Sequence, residues 1–301
     1  MNFLFKVMIV LFISLLVENL QAQEFDDFVR KYTDANGQGY MQPLADAFGA
    51  NLNSGWYHNA YIQEKGFQLY IGVTVMSAII PEKNKTFLAT TQGFFSPTQS
   101  IDAPTIFGKS ETVTVDGEGG LTYSFPGGLD LNNLPMAVPN ITVGSLYGTD
   151  LSVRWAAYNI GEDVGKVQIL GGGIRHSIDQ YFDLAPVNLA AGFFFQQFSL
   201  GNIVEANGWL ANIQASYQWR LITFYGGLGY ENSNLDIQYT YEADESEINF
   251  NLKGDNSIRA TLGLTLNLGP VKLHGDYNMA SQSLFTLGLG LGFNELKKVE
   301  E

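Results

Sequence analysis

Most of this chain alternates apolar and polar residues with a period of two, which is the pattern of β-strands that have one apolar face. The pattern begins near Gly66 and is clearest at Trp209–Trp219, Ile258–Leu268 and Val271–Met279. These stretches are nine to eleven residues long, the length that a tilted strand needs to cross membrane hydrocarbon. The alternation therefore predicts an antiparallel transmembrane β-barrel. A soluble β-sandwich is the alternative, because its strands alternate too.

The strand ends and the connections favour the barrel. Aromatic residues stand at strand ends, where membrane interfaces accommodate them, as at Trp209, Trp219 and Phe293. If the last strand, Leu284–Phe293, runs toward the periplasm, the charged tail 294–301 is periplasmic, and a hairpin over 222–268 with an acidic tip projects outside. Three tight connections then share the periplasmic side: Gly148-Thr149, Arg220-Leu221 and Gly269-Pro270. Tight turns on one side and longer loops on the other are typical of outer-membrane barrels.

Strand direction also limits the number of strands. The first strand, Gly66–Ile80, should ascend, and nine strands follow from Ile141 to the end, the first of them descending. An even number must then lie between, and three candidates are present: Thr86–Phe95, Glu111–Val115 and Leu121–Phe125. We therefore predict an all-β membrane protein, an antiparallel transmembrane β-barrel of 12–14 strands with a short helical N-terminal plug. The alternation slips at Glu231–Asn234, which predicts a bulge.

The first 22 residues have the features of a signal peptide that is cleaved on export. Lys6 precedes an apolar run over Val7–Val17, and Ala22 is a small residue at the expected cleavage position. The apolar run has 11 residues, whereas a membrane-spanning helix needs about 20. An uncleaved N-terminal anchor is the alternative, and a mature chain would begin near Gln23.

Residues 23–65 follow a helical rather than a strand pattern. Apolar residues at helical spacing predict a helix over Phe25–Tyr32 that stops at Asn36-Gly37. A second helix fits Met41–Phe48, with Pro43 in its first turn. The predicted organisation is a signal peptide (1–22), an N-terminal helical plug (23–65), a β-barrel (66–293) and a periplasmic tail (294–301).

Charge supports the plug. The net charge of −14 argues against a nucleic-acid partner, which would need a basic surface. Yet the strands place several charged or titratable side chains on the lumen face: Arg154, Arg175, Arg220, Arg259, Lys272, His274 and Asp276. Buried charges need partners, and the N-terminal segment offers carboxylates at Asp26, Asp27, Asp34 and Asp46. We therefore expect an acidic plug that pairs with a basic lumen.

No motif points to catalysis, a cofactor or a metal. Among the three histidines, His274 alone has a carboxylate close by on its strand, Asp276, and lumen hydrogen bonding explains that pair better than a metal does. His176 and Ser177 are consecutive in a strand and point to opposite faces, which excludes a lipase dyad. Gly171–Gly173 precedes a strand rather than a helix, so it indicates a bulge or a close-packed strand and not a phosphate loop. The acidic stretch Glu242–Glu247 lacks calcium-loop spacing and is expected to be a solvated tip.

Several stretches resemble an uncharacterised family of Bacteroidota outer-membrane barrel proteins: Gly39–Leu44, Ala47–Ala60, Pro139–Gly144, Gly148–Leu151, Arg154 and Gly173–Ile178. That resemblance implies a barrel and no established activity. The layout is also distantly similar to that of the outer-membrane long-chain fatty-acid transporters, which have an N-terminal helical hatch followed by about fourteen strands. None of their ligand-binding motifs is present in this sequence.

The expected location is the outer membrane, with its lipid as one partner. The expected function is passive transport or binding of a small hydrophobic or amphipathic molecule. A barrel that does not transport, with a structural, adhesive or secretion-machinery role, is the alternative, and protein partners are not indicated. A transporter should make liposomes permeable to a solute class, whereas a structural partner should co-purify with a complex.

Overall fold

The computed structural model describes residues 34–93, 95–161, 165–182, 186–240 and 247–296. The predicted signal peptide, the helix predicted at Phe25–Tyr32, Asp26, Asp27 and the acidic tip at 243–246 lie outside these residues. The described elements are α1 (Asp34–Leu52), β1 (Lys65–Ile79), β2 (Thr86–Thr90), β3 (Ser100–Pro104), β4 (Val113–Asp116), β5 (Thr122–Phe125), β6 (Asn133–Leu146), β7 (Thr149–Gly161), β8 (Gly165–Ser177), β9 (Val187–Leu200), β10 (Val204–Trp219), β11 (Ile222–Thr240), β12 (Glu247–Lys253), β13 (Ile258–Leu268), β14 (Val271–Met279) and β15 (Leu284–Phe293), with 3-10 turns at Glu82–Asn84, Glu118–Gly120 and Asp179–Tyr181.

Ten antiparallel strands close into a barrel. Their order is β10-β9-β8-β7-β6-β1-β15-β14-β13-β11, and β10 pairs with β11 to complete the ring. Strand β12 adds to the upper part of β11. The predicted fold class, an antiparallel β-barrel with an N-terminal helix, is confirmed.

The predicted number of 12–14 strands is wrong, because the three candidates between β1 and β6 do not enter the barrel. They fall in two separate hairpins, β2 with β3 and β4 with β5, whose strands have four or five residues. Such strands are too short to cross a bilayer. Strand β1 instead pairs directly with β6. The number of barrel strands between β1 and β6 is even, as predicted, and it is zero.

Tight turns gather at one end of the barrel, which we call the lower end. They centre on Tyr147-Gly148, Arg220-Leu221 and Gly269-Pro270. Tyr147, Gly148, Arg220 and Gly269 all have positive φ, between 50° and 68°. Strand β1 starts and β15 finishes at this end. The opposite, upper end carries the connection 80–132 with its two hairpins and the top of the long β11–β12 hairpin.

The long hairpin over 222–268 is irregular on one strand only. Strand β11 pairs with β13 in its lower part and with β12 above, and residues 254–257 separate these two partners. On its other side, the ladder to β10 is continuous from Ile222 to Ile237. The bulge predicted at Glu231–Asn234 is therefore wrong, because the interruption lies on the facing strand at 254–257.

The barrel has apolar side chains outside and polar ones inside. Every strand of the ring exposes large apolar residues on its outer face: Ile71, Ile141, Val153, Leu170, Phe193, Ile213, Phe224, Leu262, Leu273 and Leu289. Every strand also buries polar residues inside: Thr74, Asn140, Arg154, Arg175, Gln196, Gln214, Thr223, Thr265, His274 and Thr286. This distribution suits hydrocarbon outside the wall rather than water. No helix in the described residues is long and apolar enough to cross a bilayer.

One helix, α1, replaces the predicted stop at Asn36-Gly37 and the separate helix at Met41–Phe48. Asn36 and Gly37 lie in its first turns, and Pro43 lies in its interior. A Cβ on Gly37 would stand 2.3 Å from the Phe250 ring of β12, so glycine serves close packing at this position. The Asn36 side chain bonds both the carbonyl (2.8 Å) and the N–H (3.1 Å) of Thr90. Tertiary contacts therefore keep Asn36-Gly37 helical, although this dipeptide by itself favours the end of a helix.

The interior has two layers. The upper layer, which we call the upper core, is apolar and packs α1 against β12, the hairpin region and the inner faces of the strand tops. The lower layer is the polar lumen. This division explains the apparent change of phase around Gly171–Gly173. Val167 and Ile169 are buried on the inner face, with Ile169 in the upper core, whereas Ile174 points outward lower down. The ladder between β7 and β8 has no bulge at these glycines, which fits the close-packed strand.

Candidate functional site

The chain between α1 and β1 passes through the lumen. We call residues 53–64 the inner segment; it leads from the upper core to Lys65 at the lower end. Its aromatic residues reach three different strands. The contacts, given between ring centroids, are Trp56 stacked on Phe194 of β9 (5.0 Å), Tyr57 against Tyr225 of β11 (5.9 Å) and His58 stacked on His274 of β14 (4.9 Å). On the other side of the ring, Trp56 contacts Arg154 of β7 and His58 contacts Tyr70 of β1, so the inner segment touches the wall on both sides of the lumen.

Arg175 joins the wall to the inner segment. Its Nε and Nη2 donate to the two carboxylate oxygens of Asp150, at 3.0 Å and 2.5 Å. Its Nη1 donates to the carbonyl oxygen of Asn59 at 2.7 Å and to Gln214 at 3.2 Å. All five donors of an arginine need acceptors where water is excluded, and a wall carboxylate and an inner-segment carbonyl use most of them.

Arg259 makes an equivalent connection higher in the lumen. It forms an ion pair with Glu231 of β11, with Nη2 to Oε2 at 2.8 Å. It also donates to the carbonyl oxygen of Ala50 at 2.9 Å and to the Ser54 hydroxyl. Ala50 lies in the last turn of α1, where carbonyls lack helical partners and the helix dipole is negative. The arginine therefore caps the helix and fixes it to the wall.

The expected pairing of an acidic plug with a basic lumen is not what these contacts show. Among the described residues, the carboxylates that pair with the lumen arginines are Asp150 and Glu231 of the wall. Helix α1 and the inner segment contribute the carbonyl oxygens of Ala50 and Asn59 and the Ser54 hydroxyl instead. Asp46 is buried but accepts hydrogen bonds from Gln42 (2.9 Å) and from the N–H of Asp255 (3.0 Å). The side chain of Asp34 lies outside the described residues.

Burial raises the pKa of Asp46 above its ordinary value. The hydrogen bonds from Asp255 and Gln42 oppose that shift without cancelling it. The charged form of Asp46 is therefore less favoured in the folded protein than in water.

Arg154 is the most deeply buried of the lumen arginines. Its guanidinium lies over the Trp56 ring, with Cζ 3.7 Å from the ring centroid, and its Nη1 donates to Gln196 at 3.0 Å. Its Nε and Nη2 are buried and have no hydrogen-bond partner among the described residues. Gly171 leaves room for this arrangement, since a Cβ there would stand 2.8 Å from Trp56.

A titratable cluster lies at the lower end. The Tyr70 hydroxyl contacts His274 Nε2 at 3.0 Å, and His58 Nε2 stands 3.3 Å from Glu295. Glu295 follows the last strand, in the segment predicted to be a periplasmic tail, yet it turns inward and is buried. A single acidic residue in a charged tail gave no signal for this role. Lys272 is buried nearby and donates to Asn267 at 3.0 Å.

The structure brings six of the seven predicted lumen residues inside the barrel: Arg154, Arg175, Arg259, Lys272, His274 and Asp276. Asp276 accepts from the Tyr225 hydroxyl at 2.8 Å. Arg220 does not face the lumen. It is exposed in the turn after β10, with its guanidinium 5.7 Å from the Trp219 ring, because strand alternation no longer applies inside a turn. Asp150, Glu231 and Gln196 were missed, although their inward positions in alternating strands could have indicated them.

The third histidine, His176, belongs to the lower rim. It contacts the Thr149 hydroxyl at 2.8 Å, while the adjacent Ser177 donates to Asp179 at 2.8 Å. In the part of the chain that the structure describes, no group of three His, Asp or Glu side chains is arranged to hold a metal ion.

Comparison with solved structures returns outer-membrane barrels of low similarity. OmpT of Vibrio cholerae aligns with 9% identity and a TM-score of 0.26 over 52% of this chain and 55% of that chain, so this alignment spans about half of that protein. The Ralstonia pickettii toluene transporter TbuX aligns at 7% identity and 0.29 over 76% and 89%. The translocator domain of the autotransporter NalP from Neisseria meningitidis aligns at 12% and 0.27 over 86% and 95%. Scores this low transfer no function.

Comparison by sequence is more decisive about the family. No curated protein matches the chain. One family model matches residues 1–293, which include the whole barrel, α1 and the inner segment. The chain therefore belongs to the family described as a family of unknown function, DUF6588.

Proposed function

We propose that this chain is an outer-membrane barrel that binds a small hydrophobic or amphipathic molecule and is closed to free diffusion along its axis. The observation that carries the proposal is the division of the interior. An apolar upper core lies above a polar lumen, and the inner segment passes through that lumen in contact with its wall. A general pore would need a continuous water-filled path.

The outer membrane is supported by the wall and by the ends of the barrel. A closed ring of strands pairs the backbone hydrogen-bonding groups of neighbouring strands over most of the wall, and hydrocarbon requires such pairing. Large apolar side chains are exposed on the outer face of all ten strands, and the three two-residue turns lie at one end. The signal-peptide features of residues 1–22 agree with export to that membrane.

Two measurements on reconstituted protein test the proposal. Proteoliposomes should stay impermeable to ions and small sugars, because the inner segment blocks the axis. The same protein should bind a fluorescent single-chain amphiphile in a saturable way. Permeability to sugars comparable to that of an open porin would contradict the closed axis, and an absence of saturable binding would contradict the ligand.

A second function, a barrel with a structural, adhesive or secretion-machinery role, is favoured by the covered upper end. The connection 80–132 packs on α1 there: the Tyr40 hydroxyl bonds the Gly127 carbonyl (2.9 Å), and the Ile106 N–H bonds the Tyr40 carbonyl (3.1 Å). Leu88 and Leu121 are exposed on the two hairpins. Such a barrel should co-purify with a protein complex and show no saturable amphiphile binding.

A further inference from the structure

The barrel wall is not paired over its full height between β6 and β7. Their ladder runs from Leu146 and Thr149 up to Asn140 and Arg154, and it ends there in the described chain. Above this point β6 continues to pair with β1, and β7 continues to pair with β8. We call the stretch without a ladder between these two strands, residues 133–139 of β6 and 155–158 of β7, the seam.

Two prolines account for the seam. Consecutive residues of an antiparallel strand direct their backbone groups to opposite neighbours. Ile80 donates to Asn132 and Ile79 donates to Ser283, both at 2.9 Å, so the even residues of β1 and β6 face each other. The odd residues of β6 then face β7. Pro135 and Pro139 are two of these, and proline has no N–H to donate.

The inner side of the seam is apolar. Leu134, Met136 and Val138 of β6 are buried and point inward, and Ala156 of β7 is buried as well. All four belong to the upper core. Outside, Trp155 of the seam is exposed, and Ile141 and Val153 are exposed on the paired rung just below Arg154. The seam therefore lies between two apolar regions, and a hydrocarbon chain is compatible with both.

Arg154 stands on the last paired rung, directly below the seam. The Nε and Nη2 edge of its guanidinium is buried without a partner in the described part of the chain. Arg175 uses the same edge to bind both carboxylate oxygens of Asp150. Buried donors of this kind are normally satisfied, and the planar Nε–Nη2 edge matches the two oxygens of a carboxylate or phosphate. The free edge of Arg154 is therefore suited to an oxyanion.

Two further buried groups that have no partner within the described ranges accompany this edge. They are the Thr74 hydroxyl and the Gln196 amide nitrogen. Thr74 and Arg154 both lie against Gly55, where a Cβ would stand 2.6 Å from Thr74 Cγ2 and 3.5 Å from Arg154 Nη2. Gln196 already accepts from Arg154 through its oxygen, which leaves its nitrogen as a donor. Hydrogen-bonding groups thus flank the foot of the seam.

We propose that the seam and Arg154 form a binding site for an amphipathic oxyanion, a carboxylate or phosphate carried on one hydrocarbon chain. The oxyanion accepts from Nε and Nη2 of Arg154, and the chain lies against Met136 and Val138 and reaches the bilayer through the seam. This inference rests on the proposed function, because it names the class of molecule and the place where it binds. A partner strand is a poorer occupant, since Pro135 and Pro139 leave β6 without two of its donors.

Photolabelling of the full-length protein in liposomes tests the site. The probes are a dodecanoic acid, a dodecyl phosphate and a dodecanol, each with a diazirine on its chain, and peptides are mapped by mass spectrometry. An anionic probe should label inward residues such as Met136 and Val138, whereas the alcohol should label only outward residues. The carboxylate and phosphate arms distinguish the two sources of the oxyanion.

A substitution assigns the labelling to Arg154. Arg154→Lys keeps the charge but removes the planar edge, so inward labelling by the anionic probe should be lost. Arg220→Lys, in an exposed turn, is the matched control and should leave labelling unchanged. If Arg154→Lys does not fold, the comparison of acid with alcohol on the unchanged chain decides the question.

Three results would contradict the proposed site, and they differ in whether they also contradict the proposed function. Equal inward labelling by acid and alcohol overturns the oxyanion site and leaves the proposed function standing. Inward labelling that survives Arg154→Lys in folded protein also overturns the site alone. Absence of inward labelling by every probe overturns both the site and the bound amphiphile of the proposed function.

Discussion

At the scale of single residues, two of the buried lumen arginines are matched by partners of two kinds. Arg175 and Arg259 each bind one wall carboxylate and one carbonyl oxygen of α1 or the inner segment. The carboxylate balances the charge, and the carbonyl ties the interior to the wall. Removal of a single partner therefore leaves a buried charge without compensation, which is costly.

The pair of Asp150 and Arg175 gives a direct prediction for stability. Asp150→Asn should lower the free energy of unfolding by about 3 kcal/mol, because the buried arginine loses its counter-charge. Urea unfolding in a fixed lipid, followed by tryptophan fluorescence, measures the change. Asp116→Asn in the exposed strand β4 is the control and should change the free energy by less than about 0.5 kcal/mol. Equal effects of the two variants would contradict the buried ion pair.

Asp46 gives a prediction for pH dependence. Its pKa is raised in the folded state, so its contribution to stability is present below the ordinary pKa of the carboxyl and is lost as pH rises through the folded value. Asp46→Asn keeps an acceptor for the Asp255 N–H and removes the charge. The variant should therefore gain stability over the unchanged chain at pH 8 and show little difference at pH 4.

Unfolding midpoints of the two proteins at pH 8 and pH 4 measure this difference. Asp102→Asn, at an exposed position, serves as the control. A loss of stability at pH 8 on Asp46→Asn would mean that the fold favours the charged carboxylate, which is the opposite of a raised pKa.

At the scale of elements, the alternation of apolar and polar residues predicted the barrel strands well and the short elements poorly. The nine strands expected from Ile141 to the end are present, with β12 and β13 together forming the arm expected over 247–268, because lipid and lumen impose strict alternation in a barrel wall. The residues of the hairpins β2–β3 and β4–β5 alternate as those of barrel strands do. Only the pairing of these hairpin strands with each other shows that they lie outside the ring. Helix α1 passes through Asn36-Gly37 because Phe250 and Thr90 hold it there, and such contacts are not readable from local sequence.

The seam gives a prediction for β6. Restoring two backbone donors with Pro135→Val and Pro139→Val should extend the β6–β7 ladder upward. Hydrogen exchange at Trp155 and Ala157 should become slower, since ladder hydrogen bonds protect amides from solvent. Pro186→Val, in the loop before β9, is the matched control and should leave these rates unchanged. Unchanged exchange in the double variant would show that the prolines do not cause the seam.

At the scale of the whole molecule, the interior decides what the barrel does. The sequence predicted that charged side chains line a lumen and that the N-terminal segment enters it. It did not predict the partners, since those depend on which strands the inner segment touches. The ion-pair roles of Asp150, Glu231 and Glu295 depend on contacts with residues that are distant in sequence. The apolar upper core could not be predicted either, because the sequence does not distinguish an apolar strand residue that faces inward from one that faces the lipid.

The most direct test of the central claim, a barrel closed by its own N-terminal segment, is single-channel conductance in planar bilayers. The full-length protein should conduct no measurable current. A variant without residues 24–60 should insert and conduct steadily, because the polar lumen then fills with water. A variant without the exposed turn 118–120 is the control and should stay closed. Equal conductance with and without residues 24–60, in variants shown to form folded barrels, would contradict closure by this segment.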